Sequence, residues 1–419
     1  MPHNLAEKIL QAHTDEEITQ AGQIVTCRVS LVLANDITAP LAIKSFKGMG
    51  AGKVFDRDKV ALVCDHFTPN KDIDSAEQVK VVREFAREMG ITHYYEGGDC
   101  GVEHALLPEL GLVGPRDIVV GADSHTCTYG GLGAFATGMG STDIAGAMAL
   151  GETWFKVPPT IRVEYTGELA PFVGAKDLIL HLIGRIGVSG ALYQALEFGG
   201  PVIDALSVEG RMTMANMAIE AGGKVGLFPV DAKTLAYCAA HGRHGDKAMK
   251  ADPGAVYEQE LSLSVAGMDP QIACPHLPDN VRPVGELKGM RVDQAVIGSC
   301  TNGRIEDLRE AASVLKGRKA HKNVRLIILP ATPKIWRQAM DEGLFSIFMD
   351  AGAVVGPPTC GPCLGGHMGI LAGGERAIAT TNRNFRGRMG SLLSEVYLAN
   401  PAVAAASAIA GEIIHPAKL

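Results

Sequence analysis

Three cysteines near the C-terminal end have neighbours that suit a compact inorganic partner. Cys360 and Cys363 stand three residues apart in Gly356-Pro357-Pro358-Thr359-Cys360-Gly361-Pro362-Cys363-Leu364-Gly365-Gly366. The prolines remove backbone donors and the glycines reach angles that other residues avoid, which excludes an ordinary helix. Cys300 closes an apolar run in Ala295-Val296-Ile297-Gly298-Ser299-Cys300-Thr301-Asn302, where Thr301 or Asn302 can cap a following helix. One lone cysteine plus one Cys-x-x-Cys makes three thiolate ligands. A structural zinc site and a ferredoxin-type cluster each want four. A four-iron cluster on three thiolates leaves one iron open, and an open iron can act as a Lewis acid. Taken alone, the Cys-x-x-Cys spacing is a redox pair or half a zinc site about half the time.

Acid–base groups lie elsewhere. Asp65-His66 follows the apolar run Val60-Ala61-Leu62-Val63-Cys64. A carboxylate beside an imidazole favours its charged form and is expected to place its pKa near neutrality, which suits protonation of a leaving hydroxyl. Seen alone, this dipeptide is more often a satisfied local contact. His104, in a glycine-rich loop entering a helix, and Asp123-Ser124-His125 add groups able to hold a metal's water. Asn216 and Glu220, four apart, are expected to share one helix face, which is equally the pattern of a solvated surface. Asn382-Arg383-Asn384-Phe385-Arg386-Gly387-Arg388 puts three guanidiniums in seven residues. Arginine forks suit a di- or tricarboxylate, with Arg383 and Arg388 favoured and Arg386 read as solvated. Cys27, Cys64, Cys100, Cys127, Cys238 and Cys274 read mostly as small buried hydrophobes.

The elements that must position these groups are legible in outline. At 419 residues, two or three domains are expected. Hydrophobic residues are 47% and charged residues 20%, a balance for large buried α/β cores, and 50 glycines suit many tight strand-to-helix turns. A net charge of −7 without a long basic run gives nucleic-acid binding no support. Residues 1–10 lack the apolar core of a secretory signal, and Asn4 with Glu7 reads as a helix capping box. The longest small-apolar run, Pro401–Ala410, is too short to cross a bilayer. Nine cysteines without framework spacing indicate a reducing compartment, so a cytoplasmic location is expected.

Periodicity predicts helices over 4–13, 75–90 and 175–185, strands over 23–33, 60–64, 117–120 and 161–165, and close-packed helices within 130–151. From 294 onward strand and helix alternate. Pro158-Pro159 and the proline-bearing stretch 274–283 mark linkers, dividing the chain into 1–158, 159–284 and 285–419. Asp65-His66, Asp123-Ser124-His125, Cys300, Cys360 and Arg383 each follow an apolar strand-like run. Ligand sites in open α/β sheets gather outside the carboxyl ends of strands, so these residues are expected to face one crevice. No internal repeat is visible.

Gly298-Ser299-Cys300-Thr301-Asn302 and the Cys360–Cys363 turn together resemble the cluster-binding segments of the aconitase superfamily. Over essentially its whole length the chain is similar to the two-chain isopropylmalate branch of that family. Cys64-Asp65-His66, Gly121-Ala122-Asp123-Ser124-His125-Thr126, Asn216-Met217-Ala218-Ile219-Glu220, Asn382 to Arg388 and Ser394-Glu395-Val396-Tyr397-Leu398 carry the likeness. The resemblance implies three α/β/α domains of the aconitase type around a central cleft, without the fourth, swivelling domain. It implies a 4Fe–4S cluster with one open iron on Cys300, Cys360 and Cys363, and His66 paired with Asp65 as the acid. His104, Asp123, His125 and Glu220 would surround the open iron and its water. Asn216 and Asn382 would lie near the cluster, and Arg383 and Arg388 would hold substrate carboxylate.

The implied enzyme is a hydro-lyase that interconverts 2- and 3-isopropylmalate through isopropylmaleate in leucine biosynthesis. Homoaconitate and 2,3-dimethylmalate chemistry are the alternatives. In aconitases the base is a serine beside an arginine in the fourth domain. The sequence stops at Leu419, so a separate small subunit carrying that domain is expected. Aconitases also carry Gln where Pro40 stands, which changes one substrate contact. An RNA-binding iron sensor and a structural zinc protein rank below an enzyme, given the charge and the three-thiol set.

Overall fold

The computed structural model describes all 419 residues, Met1–Leu419. Apolar runs become the centres of parallel sheets, because strands covered by helices on both faces need no polar side. Leu31–Asn35, Val60–Val63 and Ile118–Gly121 are buried at every position. They form a parallel five-stranded sheet in the order His93–Tyr95, Val60–Val63, Leu31–Asn35, Ile118–Gly121, Phe135–Gly138. Helices Ala39–Gly48, Ile73–Met89 and Ser141–Leu150 pack onto it through Phe46, Phe85 and Met148. Helix Ile73–Met89 begins where the Asp72 side chain accepts from the Ser75 amide, and it stops at Gly90, whose φ of 65° is left-handed.

A second, four-stranded parallel sheet runs Val225–Leu227, Ala195–Gly199, Thr160–Thr166, Gln259–Ser264. The third has five parallel strands, Glu395–Leu398, Arg376–Ala379, Gln294–Ile297, Arg325–Ile328 and Val354–Val355. Gln271–Ala273 and Val281–Pro283, which precede residue 285 in sequence, extend its edge in antiparallel fashion. Numbered by chain order within each sheet, the strands lie 3-2-1-4-5, 3-2-1-4 and, in the parallel part of the third sheet, 3-2-1-4-5. The winding recurs although the sequence shows no repeat. Each sheet reverses direction between its first and fourth strands, and that reversal opens a crevice at the carboxyl ends.

Helix Ala175–Ile186 joins the second and third sheets. Its Leu178, Ile179, Leu182 and Ile183 share one core with Ile161 of the second sheet and Val296, Ile327 and Ala377 of the third. Burying each such side chain contributes about 1.5–3 kcal/mol. No helix is long and apolar enough to cross a membrane.

Several expectations change in detail. The 23–33 region divides into Ile24–Arg28, which pairs antiparallel with Glu152–Lys156, and Leu31–Asn35 of the first sheet. Within 130–151 a strand, Phe135–Gly138, precedes helix Ser141–Leu150, because Phe135 and Thr137 pair along Ile118–Gly121. Pro40 lies in the first turn of helix Ala39–Gly48, where its missing N–H costs no helical hydrogen bond. Asn216 ends the α-helix Val208–Asn216, whereas Glu220 lies in the 3₁₀ turn Met217–Ala221, so the two do not share one regular helix face.

Candidate active site

The Asp65-His66 turn leaves strand Val60–Val63 at its carboxyl end. His66 Nδ1 lies 2.6 Å from Asp65 Oδ1, and the other Asp65 oxygen accepts the Glu103 amide at 2.8 Å. Asp36, at the end of strand Leu31–Asn35, accepts the amides of His66 and Phe67 at 3.0 and 2.9 Å and so clamps the turn. Burial disfavours the imidazolium, but the charge and hydrogen bond of Asp65, with Asp36 and Glu103, outweigh it and raise His66 to about 10. The expected value near neutrality is therefore corrected upward: three carboxyl groups crowd this ring, not one. Glu103 in turn is pushed well up by burial and by the charges of Asp65 and Asp123.

Asp123 caps the 3₁₀ segment Ser124–Leu132 by accepting the His125 amide at 2.7 Å. Its Oδ1 also meets His104 Nε2 at 3.0 Å, and its Oδ2 lies 4.0 Å from His66 Nε2. Burial opposes the Asp123 charge, yet the hydrogen bonds of His104 and His125 hold its carboxyl well below the ordinary range. Burial lowers His104. His125 is raised overall: burial and Arg383 act against its charge, and Asp123 and Glu220 overcome them. Glu220 Oε1 accepts from Arg383 Nε at 2.8 Å and lies 2.8 Å from His125 Nε2, so it bridges the turns that follow strands Ile118–Gly121 and Arg376–Ala379.

Cys300 sits at the start of the short helix Ser299–Asn302. Gly298 before it has φ 150°, and a Cβ there would run into the Leu329 backbone, so the turn requires glycine. The Asn216 and Asn382 amides donate to the Cys300 sulfur at 3.2 and 3.3 Å, while Asn382 Oδ1 accepts from Cys363 at 3.5 Å. Arg388 Nη2 lies 3.7 Å from the Cys363 sulfur. Cys360 is bound directly to the Asp65-His66 turn: its amide donates to Asp65 O at 2.9 Å, and Thr359 Oγ1 donates to the same oxygen at 2.7 Å. Hydrogen bonding from Cys360 holds Cys363 well below the ordinary thiol value against burial, and Arg388 adds to the lowering. Burial and the charge of Cys363 push Cys300 up to about 12.

All thirteen residues singled out from the sequence thus belong to one hydrogen-bonded neighbourhood around the Asp-His turn and the thiols. Arg386 is exposed, as read. Four functional groups escaped the sequence. Asp36 follows an apolar strand run like the others, so the strand-end rule would have found it. Glu103 precedes His104 in the loop already marked. Buried Arg304 donates to Cys300 O at 2.9 Å, Thr301 O at 3.1 Å and His104 O at 3.4 Å, and buried Lys176 donates to Thr380 and Thr381. Neither had a local signal.

A family model described as the aconitase family (aconitate hydratase) matches residues 7–290 and 285–411. The chain belongs to the aconitase family and is a hydro-lyase. It is 77% identical over 419 residues, the whole of both chains, to the 3-isopropylmalate dehydratase large subunit of Nitratidesulfovibrio vulgaris (Miyazaki F). Identity to the protein of that name from Moorella thermoacetica is 61% over 416 residues, 99% of each chain. The fold is similar to Thermococcus kodakaraensis aconitase X in its holo form, with TM-score 0.51 over 93% of this chain and 92% of that one, at 15% identity.

Family membership implies an iron–sulfur cluster, and the donor set fits one. All nine cysteines are free, and three of them converge with amide and guanidinium N–H groups aimed at two of the sulfurs. A thiolate accepts such bonds far better than a neutral thiol.

Proposed function

We propose that this chain is the large catalytic subunit of a two-subunit enzyme that interconverts 2-isopropylmalate and 3-isopropylmalate through isopropylmaleate, a cytoplasmic step of leucine biosynthesis. Its three units are 1–158, 159–284 and 285–419. The contact between the Cys360 amide and Asp65 O carries the reading, because it joins a proton donor to the thiol turn across 295 residues of chain. Cys300, Cys360 and Cys363 hold a 4Fe–4S cluster, whose open iron, when bound, supplies a Lewis acid for the substrate's carboxylate and hydroxyl.

The chain's own residues do the rest. His66, kept protonated by Asp65 and Asp36, gives the proton at Nε2 to the departing hydroxyl. His104, Asp123, His125 and Glu220 surround the released water. Asn216 and Asn382 orient the sulfurs. Only Nε of Arg383 is engaged by Glu220, which leaves its terminal nitrogens for a substrate carboxylate alongside Arg388. The base that removes the carbon-bound proton comes from a small subunit carrying the swivelling domain.

The test is turnover by the anaerobically reconstituted chain, mixed with its small subunit, on isopropylmalate, homoaconitate, 2,3-dimethylmalate and citrate. Activity confined to isopropylmalate is expected. Faster turnover of any of the other three would sink the substrate assignment.

A further inference from the structure

Lys176 occupies a position that ordinary electrostatics disfavours. It stands in the first turn of helix Ala175–Ile186, where the helix dipole repels cations, and its side chain is 1% exposed. A buried ammonium is costly unless it is fully hydrogen-bonded and faces negative charge. Its three donors are used: Nζ donates to Thr381 O at 2.6 Å, Thr380 O at 2.7 Å and Asn302 Oδ1 at 3.3 Å. These acceptors lie on the two turns that hold the thiol site. Asn302 ends the helix that begins with Ser299-Cys300, and Thr380-Thr381 leads into Asn382, which touches Cys300 and Cys363. The two turns are already tied together, since Gly298 N donates to Thr380 Oγ1 at 2.9 Å. Lys176 reaches this junction from a different unit. A cavity of about 200 Å³ reaches this junction, lined by Lys176 itself with Ser207, Glu306, Asp307 and Glu310. In the cluster-free chain burial lowers the ammonium to about 7, and the charges of Cys300 and Cys363 are the first to act in the opposite direction, so negative charge gathered on those sulfurs favours the charged lysine.

We propose that Lys176 is a positioning residue for the cluster: it locks the Cys300 turn to the Asn382 turn and sets a positive charge behind the thiolates, which raises the reduction potential of the bound cluster and slows its loss of iron. Net charge and hydrogen bonding around the sulfurs are what tune such potentials. The inference rests on the cluster assignment above.

The test uses the full chain with its small subunit, reconstituted anaerobically as wild type, Lys176→Met, Lys176→Gln and Lys176→Arg. The readouts are iron and sulfide content, reduction potential by EPR-monitored titration, iron release to a chelator, and the thermal melt of the cluster-free chain. The Met variant is expected to shift the potential negative and to release iron roughly tenfold faster. The Gln variant, which keeps an N–H for the carbonyls but no charge, shows the same negative shift with slower iron release than Met. Arg returns the potential toward wild type. A folded Met or Gln variant with wild-type potential and iron retention overturns the proposal; should Met fail to fold, Gln decides. Wild-type protein that takes up no iron and sulfide would overturn the cluster assignment itself, and with it the role of Lys176.

Discussion

His66 and the carboxyl groups around it form one electrostatic unit. Desolvation alone would leave the ring neutral, yet Asp65 at 2.6 Å and Asp36 at 3.6 Å keep it charged. Replacing His66 by Asn removes the proposed proton donor and leaves the thiols untouched. Turnover is expected to fall by roughly 10²–10⁴-fold with unchanged iron content; near-wild-type turnover would move the acid role elsewhere. The same ring carries a pH signature. Its folded value of about 10 exceeds the ordinary 6.5, so its stabilisation is full below 6.5 and is lost as pH rises through about 10. Thermal melts of the cluster-free chain should therefore show His66→Asn destabilised near pH 6, with the gap closing toward about pH 10. Cys360→Ser, one atom changed in the thiol turn, should abolish turnover.

Helix Ile305–Leu315 shows how an element can carry charge that it would rather lose. Its half-buried Glu310 is raised to about 8 by burial, with Asp307 and Asp177 adding to the shift. A raised carboxyl is protonated more readily in the folded chain, so ionising it erodes stability as pH climbs from 4.5 to about 8. Glu310→Gln should accordingly melt above wild type at about pH 8.5 and equal it near pH 5; a lower melt at both values would contradict this account. Elsewhere the helix geometry itself changes at the site. The α-helix Val208–Asn216 tightens to 3₁₀ just after Asn216, which sends Asn216 to Cys300 and Glu220 to His125 and Arg383.

At the scale of the whole molecule, the repeated 3-2-1-4 winding brings three sets of strand ends toward one another. The Gly101–Val102 loop beside the first sheet is closely seated on the loop after strand Arg325–Ile328 of the third: the Val102 amide donates to Ala331 O at 2.7 Å, and a Cβ on Gly101 would meet Ala331 O and Thr332 Cα at 3.0 Å. A side chain at 101 would require the Ala331–Thr332 backbone to give way by a few tenths of an ångström. An iron left open in such a cleft is exposed to oxidants as well as substrate. Chain purified in air should be depleted in iron, with activity restored by iron and thiol under anaerobic conditions; full activity held for hours in air would count against an open iron.

Much of this was legible from the amino acids alone, because the informative features are local. Asn4 caps its helix through Glu7, as the spacing requires, since a capping box needs only four residues. The apolar runs before Asp65, Asp123, Cys300, Cys360 and Arg383 mark strand ends, and strand ends are where α/β sheets present ligands. Tertiary structure alone decided which of these ends meet and what else meets them. Lys176 reads locally as a solvated lysine at a helix start, and its partner Thr380 lies 204 residues away. The protonation of His66 likewise depends on Asp36 and Glu103, which come from other strands and turns. Hydrophobic periodicity specifies an element and its buried face, whereas the charge on a buried group depends on every element packed around it.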